Sequence, residues 1–368
     1  MIYLDHNATT AIKSKIIDLV NSRLLQNKPS NPSSLHQHGQ DAKAIIEKSR
    51  KAILHSILGE SASKFSLVFT SGCTEANNQI INTYANKNII IGNNEHSSVI
   101  AAAQEATGGN AEAINVPSNQ PISLEVIKRY MDKQKPGGLV SIAMADSEIG
   151  TIQDVQMIAD VVHEAKCFLH IDATAALGKI ATQAAISACD YATYSGHKIG
   201  SIAGSSALIY RSSAPLNALI HGGGQERKLR GGTENTLAIE ALALATELAI
   251  AEQEQYFHKV SQLRKYAIQK IEDSNGEVIG KDINTLPNTI VAAINTVDFG
   301  SQLIQLDMQG IMVSSGSACN AGSSRPSEIV QKAVNLKYHP QNFLRISLNS
   351  TTTQDEIDKL MLSWKSID

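Results

Sequence analysis

The chain has 368 residues, more than one ordinary core holds, so two domains are expected. Hydrophobic residues make up 42% and charged residues 18%, with a formal net charge of -3. That is a soluble globular composition, and no basic cluster is long enough to form a nucleic-acid face. No apolar run approaches a membrane span, and residues 1–5 reach an acid before any leader pattern forms, so a membrane partner is not expected. Aromatic residues are sparse at 4%, so the core must be built largely from Ile, Leu, Val and Ala. The four cysteines, Cys73, Cys167, Cys189 and Cys319, lack metal-ligand spacing, which predicts no resident metal, no disulfide framework and a reducing cytoplasm.

In chain order, Ile2-Tyr3-Leu4 reads as a short strand, followed by a polar loop from Asp5 to Thr10. Ile16, Ile17, Leu19, Val20 and Leu24 share one helical face. A turn-rich loop, Asn31 to Gly39, precedes a second helix whose stripe runs from Ala44 to Leu54. Phe65 to Thr70 is a strand, and Ser71-Gly72-Cys73-Thr74-Glu75 leads into a helix over 76–84. Strands then alternate with helices: 88–91, a helix over 123–131, strand 139–143, a helix over 152–165, and strands 167–172, 190–194 and 207–210. Such alternation predicts an α/β fold with a mostly parallel sheet covered on both faces. From Glu234 to about Ile271 the chain is helical, with an expected interruption around 253–256. Segments 289–293, 300–308, 328–333, 343–348 and 354–364 follow, giving a smaller α+β unit.

Chemistry-bearing residues fall at the ends of these strands, where ligands of open α/β sheets gather. Tyr194-Ser195-Gly196-His197-Lys198 puts a hydroxyl, an imidazole and an amine at one strand end. A lysine held among desolvating groups can lose its proton and attack a carbonyl, forming a Schiff base. Most lysines after a strand are simply solvated. Strand, Ser71-Gly72 and helix N-terminus form a phosphate-binding geometry, to which Thr74 adds a hydroxyl. An isolated motif of this kind is more often a plain capped helix. Asp172 ends an apolar strand, where a carboxylate is costly unless it meets a cation. His96 is a flat ring able to stack or to carry a proton, although a loop histidine usually does neither. The loop from His221 to Thr233 is rich in glycine and arginine and suits an anion or a subunit contact. Cys319 lies in a run of Ser, Ala and Gly that suits a mobile thiol. Arg345 interrupts an apolar strand and wants a carboxylate.

Taken together these stretches resemble the cysteine desulfurases, NifS/IscS-like pyridoxal-phosphate enzymes of the class V aminotransferase group. The match covers residues 3–10, 31–39, 70–75, 95–96, 148–150, 170–174, 195–198, 221–233, 313–319 and 345–347. It implies the type I fold of pyridoxal-phosphate transferases, with a seven-stranded sheet. The large domain spans 13–255, and a small domain made from 1–12 and 256–368 carries the cysteine loop. The resemblance implies that Lys198 forms the Schiff base and moves the substrate's α-proton. It implies that Asp172 pairs with the ring nitrogen and that His96 stacks on the ring and assists proton transfer. The Cys73 amide, Thr74, Ser195 and His197 would hold the phosphate, joined by Thr233 from the partner in a homodimer. Arg345 would hold the carboxylate of L-cysteine, and Cys319 would take its sulfur, leaving L-alanine and a persulfide. The sulfur would pass to an iron–sulfur scaffold or another acceptor protein, with a transient cluster contact at Cys319.

Four stretches depart from the family pattern. Asp146-Ser147 stand where it has Asn-Asn, and Ala175 where it has Gln. Ser201-Ile202 replace its Gly-Pro, and Asn349-Ser350 its Gly-Arg. The resemblance implies that the residues at Asp146-Ser147 and Ala175 contact the ring hydroxyl and the substrate, and an acid at Asp146 would repel a substrate carboxylate unless protonated or turned away. They leave two alternatives open: a diverged pyridoxal-phosphate lyase acting on another amino acid, and a weakly active assembly partner.

Overall fold

The computed structural model describes residues 1–116, 120–316, 328–333 and 336–367. Cys319 lies outside them. The first part of the chain contains β1 (Ile2–Tyr3), α1 (Ser14–Gln26), α2 (Gln37–Leu58), β2 (Phe65–Thr70), α3 (Cys73–Thr83), β3 (Ile89–Gly92), α4 (Ser97–Ala106) and β4 (Glu112–Ile114). It continues with α5 (Leu124–Met131), β5 (Leu139–Ala143), α6 (Val155–Glu164), β6 (Phe168–Asp172), α7 (Gln183–Ala188), β7 (Tyr191–Ser195) and β8 (Ser206–Arg211). Then come α8 (Thr236–Ala251), α9 (Gln253–Asp273), β9 (Glu277–Ile279), β10 (Thr289–Ala293), α10 (Phe299–Met308), β11 (Ile311–Met312), α11 (Glu328–Gln331), β12 (Leu344–Ser347) and α12 (Gln354–Lys365).

Seven strands form one sheet in the order β2-β8-β7-β6-β5-β3-β4. Only β8 runs against the rest, because it pairs antiparallel with both β2 and β7. The C-terminal ends of the other six therefore share one edge. Strand period sorts the apolar side chains onto two faces. Leu67, Ile90, Val140, Ile171 and Ile209 pack with α2, α5, α6, α7 and α8. Val68, Ile89, Ile91, Leu139 and Leu208 pack with α3 and α4. A further core gathers Leu4, Val260, Ile271, Ile290, Leu344 and Trp364. There β12-β10-β9 form an antiparallel sheet, and β1 pairs parallel with β11. Among the described residues no helix is long and apolar enough to cross a membrane, and no three His, Cys, Asp or Glu converge as a metal set.

Several elements differ from expectation at their ends. The helix after β2 begins at Cys73 instead of residue 76, because Gly72 in an extended conformation already starts the turn. Residues 152–154 are excluded from α6, since Ile152 bridges Ala145 and Asp154 caps the helix through Met157 N–H. The break between α8 and α9 falls at Glu252. The short strands β4, β9 and β11 carry too few residues to show a period.

Candidate active site at the strand ends

Adjacent strands deliver the candidate residues to one edge. Lys198 closes a helical turn, Gly196–Lys198, directly after β7. Asp172 is the last residue of β6, and register places it opposite Thr193 on β7. Asp146 follows β5, His96 follows β3, and Cys73 and Thr74 open α3 after β2.

Residues 5–13 form a strap across the Lys198 turn. Thr10 N–H donates to His197 O at 3.2 Å, and Lys13 N–H donates to Gly200 O at 3.0 Å. Gly200 has φ +85°, and a Cβ there would stand 2.8 Å from Lys13 Cγ, so glycine is what lets the strap come so close. Lys198 Nζ donates to the carbonyls of Asn7 and Ala8, the latter at 2.8 Å. His197 Nδ1 lies 3.2 Å from Thr9 Oγ1, and burial together with the Lys198 charge pushes the His197 pKa down to about 4.

Asp172 is buried, and no cation pairs with it among the described residues. Its Oδ2 accepts from Asn77 Nδ2 at 3.1 Å, and its Oδ1 from Thr174 N–H at 2.9 Å. The Cys73 thiol is 3.8 and 3.9 Å from its two oxygens. Burial, reinforced by Asp172, drives the Cys73 thiol far up, so it stays protonated. Asn77 continues inward: Thr193 Oγ1 donates to its Oδ1 at 2.7 Å, and the chain runs on through His170 to Ser141. Strand period explains this polar row. Ser141, His170 and Thr193 all point to the face covered by α3, where Asn77 replaces an apolar contact.

His96 caps α4, and Ser98 N–H donates to its Nδ1 at 3.1 Å. Nδ1 is thus the acceptor, and the neutral ring carries its proton on Nε2. Burial lowers its pKa, which Asp172 partly counters. At α3 the cap residue Gly72 offers no side-chain acceptor to the first N–H groups, and a Cβ on Gly72 would meet nothing within 4 Å. Open space thus faces a helix N-terminus, with Thr74 exposed beside it. Buried Ser195 Oγ takes a hydrogen bond from Ser206 Oγ at 3.2 Å. Thr233 lines a cavity of about 200 Å³ together with Ser71 and Ser206 of its own chain.

Arg345 is fully buried on β12 and reaches back to the strap. Its Nη2 pairs with Asp5 Oδ1 at 2.7 Å and its Nη1 with Ser147 O at 3.1 Å, while Nε has no partner. The carboxylate that this arginine wants is therefore supplied within the chain. Asp146 is turned away from the site: its Oδ1 accepts from the N–H groups of Glu148, Ile149 and Gly150, and its Oδ2 from Thr151 N–H. The 221–233 loop spends its charges internally, with Glu226 on Arg50 and Arg230 on Glu75.

Sequence reasoning missed Asn77, Asn7 and Lys179. Asn7 Oδ1 accepts from Lys179 Nζ at 3.2 Å and from Asn288 Nδ2 at 2.8 Å, and its Nδ2 donates to Thr289 Oγ1 at 2.9 Å. Asn77 and Lys179 lie outside every matching stretch, and Asn7 lies within residues 3–10 without a chemistry of its own, so no motif assigns them a role. Only the buried company they keep does.

The residues present suit pyridoxal phosphate. A buried carboxylate lacking a cation suits a pyridinium nitrogen, and the glycine-opened end of α3 suits a phosphate. Lys198 follows β7, the strand next to the one that Asp172 ends.

A family model described as "Aminotransferase class-V" matches residues 2–360. A protein of Dictyoglomus turgidum named cysteine desulfurase IscS is 32% identical, covering 97% of this chain and 92% of its own length. A protein of Archaeoglobus fulgidus named cysteine desulfurase IscS 1 is also 32% identical, covering 98% and 95%. The crystal structure of a NifS-like protein from Rickettsia africae superposes with a TM-score of 0.90 at 32% identity, covering 100% of this chain and 99% of that one.

Proposed function

The chain belongs to the class-V aminotransferase family, and from that premise we propose that it is a pyridoxal-phosphate-dependent cysteine desulfurase, converting L-cysteine to L-alanine with the sulfur left as a persulfide on Cys319. The observation that carries this reading is the buried Asp172 carboxylate, unpaired by any cation among the described residues, one strand from Lys198. When bound, the cofactor supplies an electron sink that weakens the bonds around the substrate's α-carbon.

The chain's own groups divide the remaining work. The N–H groups at the start of α3, Thr74, Ser195 and His197 would hold the phosphate, completed by Thr233 from the partner in a homodimer. Asp172 would face the ring nitrogen and favour its protonated form. Lys198 would hold the cofactor and move the α-proton through Nζ once it leaves the Asn7 and Ala8 carbonyls. His96 would carry a proton at Nε2, since its Nδ1 is fixed as an acceptor. Arg345 would take the substrate carboxylate in exchange for Asp5, which pairs with its Nη2 in the free chain, while Ser147 O keeps Nη1 in place. The Cys319 thiolate forms the S–S bond as the substrate C–S bond breaks, so a thiol and L-cysteine become a persulfide and L-alanine. The sulfur then goes to an iron–sulfur scaffold or another acceptor protein in the cytoplasm. The same reading assigns a cofactor lobe to 13–255 and a small lobe to 1–12 with 256–368.

The test is the visible spectrum of the purified protein, followed by L-cysteine and detection of alanine. A visible band lost in Lys198→Ala, with alanine released only when Cys319 is present, is expected. Turnover of another amino acid, unchanged in Cys319→Ala, would replace this reading with a lyase. No band after cofactor addition would remove the enzyme reading.

A further inference from the structure

Beside the Lys198 turn, and without Thr74, His96 or Asp172 among its lining residues, lies a cavity of about 530 Å³. That volume is in the range of small-molecule sites. Its inner wall carries Lys179, Lys198 and His6, and its outer wall carries Lys13, Lys15 and Lys259. Glu252 is the one carboxylate among its lining residues, and it is already paired with Lys13. Thr10, Tyr256 and Ser350 add hydroxyls. The N-terminus of α1 also opens here through Ser14, with no side-chain cap, whereas the C-terminal turn of α8 and Glu252 oppose it.

Lys179 gives the cavity its meaning. It is buried, it hydrogen-bonds only the neutral Asn7 Oδ1, and no carboxylate pairs with it among the described residues. A buried ammonium is unfavourable without a counter-charge. Exposed lysines at the mouth and a buried one at the floor make an electrostatic funnel for a small anion.

We propose that this cavity is a second ligand site, taking a small dianion of oxyanion or dicarboxylate size whose charge is met at Lys179.

Burial, with the charges of Lys198 and Arg345, pushes the Lys179 pKa down to about 7. The groups facing it are those two cations and His6, which burial and Lys179 hold at about 4. His6 is therefore neutral between pH 6 and 8, and Arg345 is neutralised by Asp5. Protonated Lys179 takes the anion, so affinity is highest below pH 7 and falls as pH rises through that value.

The experiment is calorimetric titration of the cofactor-loaded protein with sulfate, which stays fully ionised across this range, and in parallel with malonate. Loading the cofactor removes the start of α3 as a competing anion site. One site per chain is expected, with net proton uptake near pH 7, and the tighter of the two probes identifies the oxyanion or the dicarboxylate. Lys259→Gln should weaken binding about threefold and Glu252→Gln should tighten it by a similar factor, each acting through one charge at the mouth. Lys179→Met should abolish it. Should that variant fail to fold, the two mouth variants decide the matter. No binding heat with wild type, or affinities unmoved by either mouth variant, overturns the proposal. The visible band of the same sample reports separately on the cofactor.

Discussion

Asn77 Nδ2 lies 3.1 Å from Asp172 Oδ2 and 3.0 Å from Ser98 Oγ, so one buried amide ties the carboxylate at the end of β6 to the cap that orients His96. Its own Oδ1 is fixed by Thr193, which leaves the amide no freedom to turn over. Asn77→Ala should therefore leave Asp172 in place but poorly held. A hydrogen bond to a charged group is worth about 1.5–3 kcal/mol, so cofactor affinity should fall roughly ten- to a hundredfold. Equilibrium dialysis of pyridoxal phosphate against the variant measures this. Unchanged retention would show that Asp172 needs no such support.

Asp146 is likewise fixed by its hydrogen bonds. Its position in the sequence suggests an acid beside the substrate carboxylate, but its two oxygens take four backbone N–H groups of the turn after β5. Burial raises the carboxyl pKa while those N–H groups pull it back, and the charged form is the one the turn is built around. Asp146→Asn puts an amide N–H against one of the donors. It should cost about 1–3 kcal/mol in a urea denaturation series and leave KM for L-cysteine within twofold. A large drop in KM would mean that the acid does repel substrate.

Arg50 and Glu226 form a two-point buried pair at 2.8 and 2.9 Å, and Glu226 also accepts from Phe69 N–H at 2.9 Å. Glu226, Arg227 and Lys228 all have positive φ, an unusual run for residues with a Cβ. The pair pins that strained turn to β2. Glu226→Gln leaves Arg50 buried with a neutral partner, and a loss of about 3–5 kcal/mol is expected. Because the turn leads to Thr233, cofactor retention should fall as well. Thermal melts with and without cofactor measure both effects.

Much of this was legible before any coordinates. Apolar strands bounded by Ser71-Gly72, Asp172 and Ser195-Gly196 announced a doubly covered sheet and the edge where chemistry gathers, because period and turn residues act locally. The strap reads in the sequence only as a polar loop, solvated or covering a site. Nothing in Asp5 to Thr10 says that its carbonyls will meet Lys198 or that Asp5 will meet Arg345, residues 340 positions away. Those contacts come from the two-residue β1–β11 ladder, the Asp5–Ser347 bridge to β12 and the Thr10–His197 backbone bond, none of which has a period to read. Buried polar partners such as Asn77 and Lys179 are equally silent, since helix and loop positions tolerate the same residues in solvent.

Lys179 offers the sharpest test of such a silent position. Its pKa drops from an ordinary 10.5 to about 7 on folding, chiefly through burial. Between those values the unfolded chain binds more protons than the folded one, so the penalty shrinks as pH rises. Below pH 7 the full cost applies, at most about 5 kcal/mol for a shift of this size. Lys179→Met removes it and loses one hydrogen bond to Asn7, whose Oδ1 keeps Asn288. In a buffer of monovalent anions the melting temperature of the variant should exceed that of wild type most at pH 6.5, with the gap closing toward pH 10. A gap that stays constant across that range would mean that the Lys179 charge is already compensated in the folded protein.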